Sequence, residues 1–359
     1  MKEKLLALLL ILFTSLLFSQ ENLHKVKLDL PGKTDSFQMI DNAKNELTLL
    51  TTAKDYIKLY KFNNDLKVID SIITDPPKEE FTSIDGHSIS NNVLKVFWST
   101  ADNKKIFSKS IYFTGRKTID EVYNLTFEKE KIIEKITINN IFYIISTVKN
   151  SNILKFYIFP VEGKYEVKTV DFSNEKFYSK YNKKISLYDL LAESNPFDSG
   201  FGIKTISNET PASIVLAANK RKLYINDDSS ITLSFDNNAT ATQLLNINLS
   251  DFSIEQKIIY RPVINGQVEV NSNSFLINKR LIQLKLSSEK IIMSLKELDG
   301  KEVKEYVGMA DTTITFKNSE IIQESGDVYD IRILEKSNQY IRKLYNSNPA
   351  ITCFIKDNK

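Results

Sequence analysis

Cysteine occurs once in this chain, at Cys353, tryptophan once, at Trp98, and histidine twice, at His24 and His87. A solitary cysteine closes no internal disulfide, so the fold must rest on its core, and a mature chain of about 340 residues can bury enough to do so. The same scarcity excludes a conventional zinc site, which draws three or four ligands from His, Cys and carboxylates and usually contains a close pair such as CxxC or HExxH. No metal and no cofactor is expected. A Ser-His-Asp triad would have to use His87, and no GxSxG elbow supplies its serine. The run Gly200-Phe201-Gly202-Ile203-Lys204-Thr205 lacks the spacing of a phosphate loop. Asn63-Asn64-Asp65 and Asp227-Asp228 are fragments of a calcium loop at most, and Asx turns account for both. Sequons at Asn124, Asn208, Asn238 and Asn248 are chance matches in an Asn-rich chain.

Neither sign of charge is in excess. The net charge is +3, and the first residues, with Lys2, Lys4 and Glu3, contribute one of these. Lysine is scattered along the chain without a basic block, which reads as solvated strand faces and excludes a nucleic-acid surface. Helical spacing of apolar residues is nearly absent as well.

Two patterns are present. Residues 1–20, MKEKLLALLLILFTSLLFSQ, place two lysines before an apolar stretch from Leu5 to Phe13 and then smaller, polar residues. This is the form of a secretory signal peptide, cleaved near Ser19 or Gln20, with an apolar stretch too short to span a bilayer. The expectation is an exported chain, periplasmic or extracellular, without stable membrane insertion after cleavage.

The second pattern fills the rest. Polar turns at Asn42, Asn92, Asn140, Asn182, Asp228, Asn278 and Asn318, spaced by 40 to 50 residues with a mean of 46, are each followed by short apolar runs divided by further turns. VLKVFW, IFSKSIYF and KTIDEV follow Asn92; IFYIISTV, ILKFYIF and YEVKTV follow Asn140; RLIQLKL, IIMSLK and EVKEY follow Asn278. These runs are rich in β-branched and aromatic residues and bounded by Asn, Asp, Gly or Ser, as hairpin strands are. A period of this length with about four strands per unit predicts an all-β fold: a single β-propeller over residues 21–359, seven-bladed, or six-bladed if the fourth unit is not a blade, with stacked β-sandwich domains or another all-β form as the alternative. That fourth unit needs ISLYDLL, IKTIS and IVLAA as strands and carries an irregular insertion at about 177–211, in which ISLYDLLAES could also turn as helix. The seventh is short. The terminal run ITCFI, residues 351–355, is expected to be a strand that closes the ring against His24–Leu30 or the strands after Asn42.

Candidate binding residues are few. Asp85 and His87 lie in Ser83–Ser88, read as a turn between units where propeller loops converge; Phe197 and Phe201 stand in the long insertion, and long loops in compact repeats are often functional. No catalytic residue is assigned. The expectation is a non-enzymatic interaction or scaffold module that binds an envelope or surface protein or a glycan. The alternative is a hydrolase or lyase acting on polysaccharide through carboxylates at a central channel, about 5 Å or 6.5–9.5 Å apart.

Overall fold

The computed structural model describes residues 35–41, 43–193, 200–206, 212–226, 229–265, 271–324 and 331–354. The leader, His24, the Asn42 and Asp228 anchors and Phe197 lie outside them. The chain divides into two compact units between Tyr123 and Asn124.

The first unit holds two antiparallel sheets, each a simple meander: β1 (Asp35–Asp41), β2 (Glu46–Thr52), β3 (Ile57–Phe62) and β4 (Val68–Thr74), then β5 (Phe81–Ser90), β6 (Val93–Thr100), β7 (Lys105–Tyr112) and β8 (Lys117–Asn124). Their shared core includes Met39, Leu50, Leu59, Val96 and Trp98. Trp98 is thus a packing residue, as its place in VLKVFW suggests.

The second unit opens with β9 (Glu130–Ile138), β10 (Ile141–Val148), β11 (Ile153–Phe159) and β12 (Glu166–Asp171). A two-stranded pair follows, β13 (Phe177–Tyr178) and β14 (Lys184–Ile185), then helix α1 (Leu187–Ala192), strand β15 (Lys204–Ile206) and helix α2 (Ile214–Ala217). Strand β15 pairs in parallel with β16 (Arg221–Ile225), at the edge of a sheet continued by β17 (Ser230–Phe235), β18 (Ala241–Asn248) and β19 (Ile254–Tyr260). The last full meander is β20 (Asn271–Ile277), β21 (Arg280–Leu286), β22 (Lys290–Glu297) and β23 (Glu302–Met309); the pair β24 (Ile322–Glu324) and β25 (Ile331–Ile333) and helix α3 (Ser337–Tyr345) complete the described chain.

This is an all-β fold of the propeller type. Among the described residues seven sheets follow one another, one for each anchored unit, and the fourth and seventh are reduced to two-stranded pairs. Asn92, Asn140, Asn182 and Asn278 lie in the turns between the first and second strands of their sheets, whereas Asn318 precedes both strands of its pair. Asn91 and Asn92 both take positive φ, 48° and 64°, as do Asn139 and Asn140, 48° and 63°, and Asn278 and Lys279, 43° and 60°. Ser90 faces Val93, Ile138 faces Ile141 and Ile277 faces Arg280 across them. Two left-handed residues in a two-residue loop make the turn whose twist matches that of the flanking strands, and asparagine tolerates that conformation better than other non-glycine residues. Middle strands such as β10 and β17 are buried on both faces, whereas the outermost strands β8, β12 and β23 are mostly exposed and interleave lysine and glutamate with their apolar residues. Such charges discourage pairing with another chain.

Four expectations change. ISLYDLL does not form a strand: Ser186 caps α1, its hydroxyl accepting the Asp189 N–H at 3.0 Å, and Leu187, Leu190 and Leu191 turn inward at helical spacing. IVLAA contains α2 rather than a strand. Ser83–Ser88 is not a turn but the middle of β5. Residues 351–354 form no strand either. Ile351 and Cys353 pack inside the second unit beside Ala212, Tyr224 and Phe275, Thr352 donates its hydroxyl to the Ala212 carbonyl at 3.0 Å, and the Asn273 amide donates to the Pro349 carbonyl at 2.7 Å. The proposed partner, residues 24–30, lies outside the described residues.

Candidate functional site

In β5 the register slips between Phe81 and Ser83 and again between Ile84 and Gly86, so Asp85 is an extra residue in a bulge opposite β6. Such bulges bend a strand and re-aim its side chains. The Asp85-Gly86 pair, a turn signal in sequence, marks this bulge. Asp85 is left half-buried, while His87 turns into the unit and is only 8% exposed. Its ring meets Phe37 of β1 edge-on at 6.4 Å, and it lies against the Ile40 backbone and Asp41. Burial lowers its pKa to about 4, outweighing the opposing hydrogen bond with the Ile40 backbone and the Asp41 charge. His87 is therefore a neutral packed side chain at physiological pH.

In front of the same strand runs a groove of about 430 Å³. Ile57, Phe81 and Trp98 form its floor, Phe37 and Ile84 its half-buried sides, and Lys78, Glu79, Thr82 and Ser83 its exposed rim. Pro76 and Pro77 supply a stiff wall without backbone donors. Its lining comes from β1, β2, β3, β5 and β6 and from the β4–β5 connection, Pro76–Glu79.

In the second unit a smaller pocket of about 210 Å³ lies between β9, the 200–204 loop and β16, with Glu134, Phe201, Lys204 and Arg221 in its walls. Phe201 is not a free aromatic platform. The Lys131 ammonium stands 4.1 Å from its ring centre and the Tyr188 ring packs at 5.2 Å. Arg221, 3% exposed, donates to the carbonyls of Gly200 and Gly202, both at 2.8 Å, and to that of Glu193. Glu134 accepts the Thr205 hydroxyl at 2.8 Å. These groups fasten the insertion to the sheet. Asp85 and His87 are together in the first unit; Phe201 belongs to the second.

Several lysines read as solvated are buried instead. Lys95 and Lys109 are each 2% exposed and pair with Glu121 at 2.7 Å and Asp120 at 2.6 Å on β8. The carboxylate of Glu130, 2% exposed, accepts from Lys155 at 2.6 Å, Ser146 at 2.6 Å and Tyr157 at 2.9 Å. Deeper still, Asp236 and Lys222 have no exposed side-chain surface and meet at 2.7 Å, and Arg261 holds the other Asp236 oxygen. Asp236 also accepts from Thr242 at 2.9 Å and from the Ser274 hydroxyl at 2.9 Å. Burial opposes its ionisation, but the two cations hold its carboxyl well below the usual carboxylate range. The only sequence signal for these pairs is an aligned lysine inside an apolar run. Among the described residues no group of three or more His, Cys, Asp or Glu side chains is placed to hold a metal ion. Asn63 accepts from the backbone N–H groups of Asp65 and Lys67 at 3.1 Å and 2.9 Å, which is the Asx turn expected there.

The chain matches no protein-family model and no curated protein sequence. Among solved structures it is similar to a prolyl endopeptidase, at 9% identity over 76% of this chain and 34% of that one, with a TM-score of 0.37. It is similar to the β-propeller domain of Nup133 from Vanderwaltozyma polyspora, at 11% identity over 83% and 79% of the two chains, with a TM-score of 0.29. It is also similar to prolyl oligopeptidase B from Galerina marginata, at 10% identity over 81% and 37%, with a TM-score of 0.36. This chain spans about a third of the length of either peptidase. The propeller-type fold rests on the chain's own strands and sheets, and the activities of these neighbours remain theirs.

Proposed function

We propose that the protein is an exported, non-enzymatic interaction module whose binding surface is the groove along β5 of the first unit. The observation that carries the reading is the combination found there: an apolar floor of Ile57, Phe81 and Trp98 under a rim of opposite charges, Lys78 and Glu79, with His87 packed against Phe37 in neutral form. A concave apolar surface with a few polar groups at its edge suits recognition. An extended segment of an envelope or surface protein would place alternate side chains on this apolar floor.

The test uses the signal-free protein and an immobilised library of extended nonapeptides. Binding to a subset with apolar residues at alternate positions, abolished by Ser83→Arg while the melting temperature holds, supports the reading. Binding that survives Ser83→Arg, or release of reducing sugar from polysaccharide by the parent protein, overturns it, the latter in favour of a glycan-cleaving enzyme.

A further inference from the structure

We propose that the turn between β13 and β14 is a docking site for an anionic polysaccharide, a sugar chain carrying carboxylate or sulfate groups, with Tyr181 as its stacking surface and Lys183 and Lys184 as its cations. This surface belongs to the second unit and stands independently of the groove along β5. Residues 179–184 read Ser-Lys-Tyr-Asn-Lys-Lys, three lysines and one aromatic ring in six positions. Ser179 is buried, and the five residues after it are exposed. The turn is nevertheless fastened from below. The Ser179 N–H donates to the Lys183 carbonyl at 2.9 Å and the Asn182 N–H to the Ser179 carbonyl at 3.0 Å. The Ser179 hydroxyl accepts the N–H groups of Tyr181 and Lys183, both at 3.2 Å, and the Glu193 carboxylate accepts that of Lys180 at 3.0 Å. From the β17–β18 loop the Asn238 amide donates to the Ser179 carbonyl at 3.0 Å and to Asn182 Oδ1 at 2.8 Å. Asn182 takes a φ of 63°, the left-handed conformation that asparagine tolerates. These bonds hold the backbone in one conformation while the lysine and tyrosine side chains stand outside it. A surface ordered in advance loses little entropy on association.

The class of partner follows from what the turn presents. Tyr181 is 72% exposed, and the Lys180 ammonium lies 5.2 Å from its ring centre, so an open aromatic surface and positive charge stand side by side. A tyrosine ring offers an apolar face to the C–H bonds of a sugar while its hydroxyl keeps a polar partner. The ammonium groups of Lys183 and Lys184 attract the acidic substituents of such a chain. The carboxylates that follow the turn are already engaged, Glu193 by the Lys180 N–H and Asp189 by the Ser186 hydroxyl at 2.7 Å. The exposed set, Lys180 to Lys184, contains no aliphatic residue to enter an acyl layer, which argues against a membrane surface. Three lysines on one turn do not make the basic stripe that tracks a nucleic-acid backbone. An acidic peptide would answer the lysines and leave the open tyrosine ring unused.

The experiment uses the whole signal-free protein, with polygalacturonate and dextran sulfate as the carboxylate and sulfate probes. Neutral dextran, polyglutamate and phosphatidylglycerol vesicles are the controls. At least one anionic polysaccharide should bind more tightly than every control, and its binding should fade as sodium chloride rises from about 50 to about 500 mM. Tyr181→Ala should weaken that binding about fivefold or more, and Lys183→Gln combined with Lys184→Gln about tenfold or more, each at the parent melting temperature because these side chains are exposed. Ser83→Arg in the first unit should leave it unchanged, so this proposal and the groove reading fail separately. No binding of either anionic polysaccharide, equal or tighter binding of polyglutamate or the vesicles, unchanged affinity in either turn variant, or loss of binding in Ser83→Arg overturns the proposal.

Discussion

Replacing Asp236 by alanine tests how the second unit is held together. The wild-type side chain has no exposed surface and accepts from Lys222, Arg261, Thr242 and Ser274. Removing it leaves an ammonium and a guanidinium, both without exposed side-chain surface, facing each other across a small void. Breaking one member of a buried ionic cluster costs about 3–5 kcal/mol, because an uncompensated charge remains inside. For a unit of this size 1 kcal/mol corresponds to roughly 2–4 °C, so a fall of about 6–20 °C is expected in the transition that contains the second unit. The pH dependence has a definite sign. The folded pKa of Asp236 lies below its unfolded value, so its stabilisation is complete above about pH 4 and fades as the pH falls further. Calorimetry should give the same parent-to-variant difference at pH 7 and pH 5 and a smaller one near pH 3. A difference under about 2 °C at pH 7, or one that grows on acidification, refutes the account. Changing Lys222 to methionine in the same background should recover part of the loss, since it removes an unpaired cation.

His87, with its pKa brought to about 4, binds a proton in the unfolded chain between about pH 6.5 and 4 but not in the folded one; stability should fall by about 3 kcal/mol across that window, and imidazole NMR shifts that titrate near 6.5 would contradict it. Glu130→Gln leaves Lys155 without its carboxylate and should lower the melting temperature of the second unit by several degrees, measured by the same scan. Truncation after Asn348 removes Ile351 and Cys353 from their apolar neighbours and the Pro349 carbonyl from Asn273; a truncated protein melting within about a degree of the parent would show that these contacts contribute nothing. Cys353→Ser, which alters one partly buried group in that cluster, should cost about 1 kcal/mol, and the thiol of the folded protein should react slowly with alkylating reagents because burial raises its pKa.

The repeat was legible because its signal is local. Asn92, Asn140 and Asn278 mark tight turns whose backbone conformation few other residues accept, and the apolar runs beside them are strands on both sides of the turn. The helix at Leu187–Ala192 was half legible: Ser186 and Asp189 have capping spacing, but LYDLL is as apolar as a strand, and only its burial at helical spacing distinguishes the two. What the sequence hid is long-range. Asp236 finds Lys222 through a neighbouring strand and Arg261 from beyond β19, and nothing near any of the three announces the others. Lys95 and Lys109 look like surface lysines because the glutamate and aspartate that accept them lie on a strand read separately. The groove was hidden for the same reason: Phe37, Ile57 and Trp98 come from three strands, and the β5 segment beside them reads as an ordinary turn.

The succession of meanders also governs how the chain reaches this structure. In every four-stranded sheet each strand pairs with the strand just before or after it in the chain, so loop closure is short at each step, and sheets can zip from their asparagine turns as soon as their strands are available. The one described parallel pairing is β15 with β16, consecutive strands joined across α2 rather than through a hairpin. Docking of that strand is tied to the insertion through Arg221, which donates to the carbonyls of Glu193, Gly200 and Gly202, so stopped-flow fluorescence of a tryptophan introduced at Phe201 should report the completion of the fifth sheet.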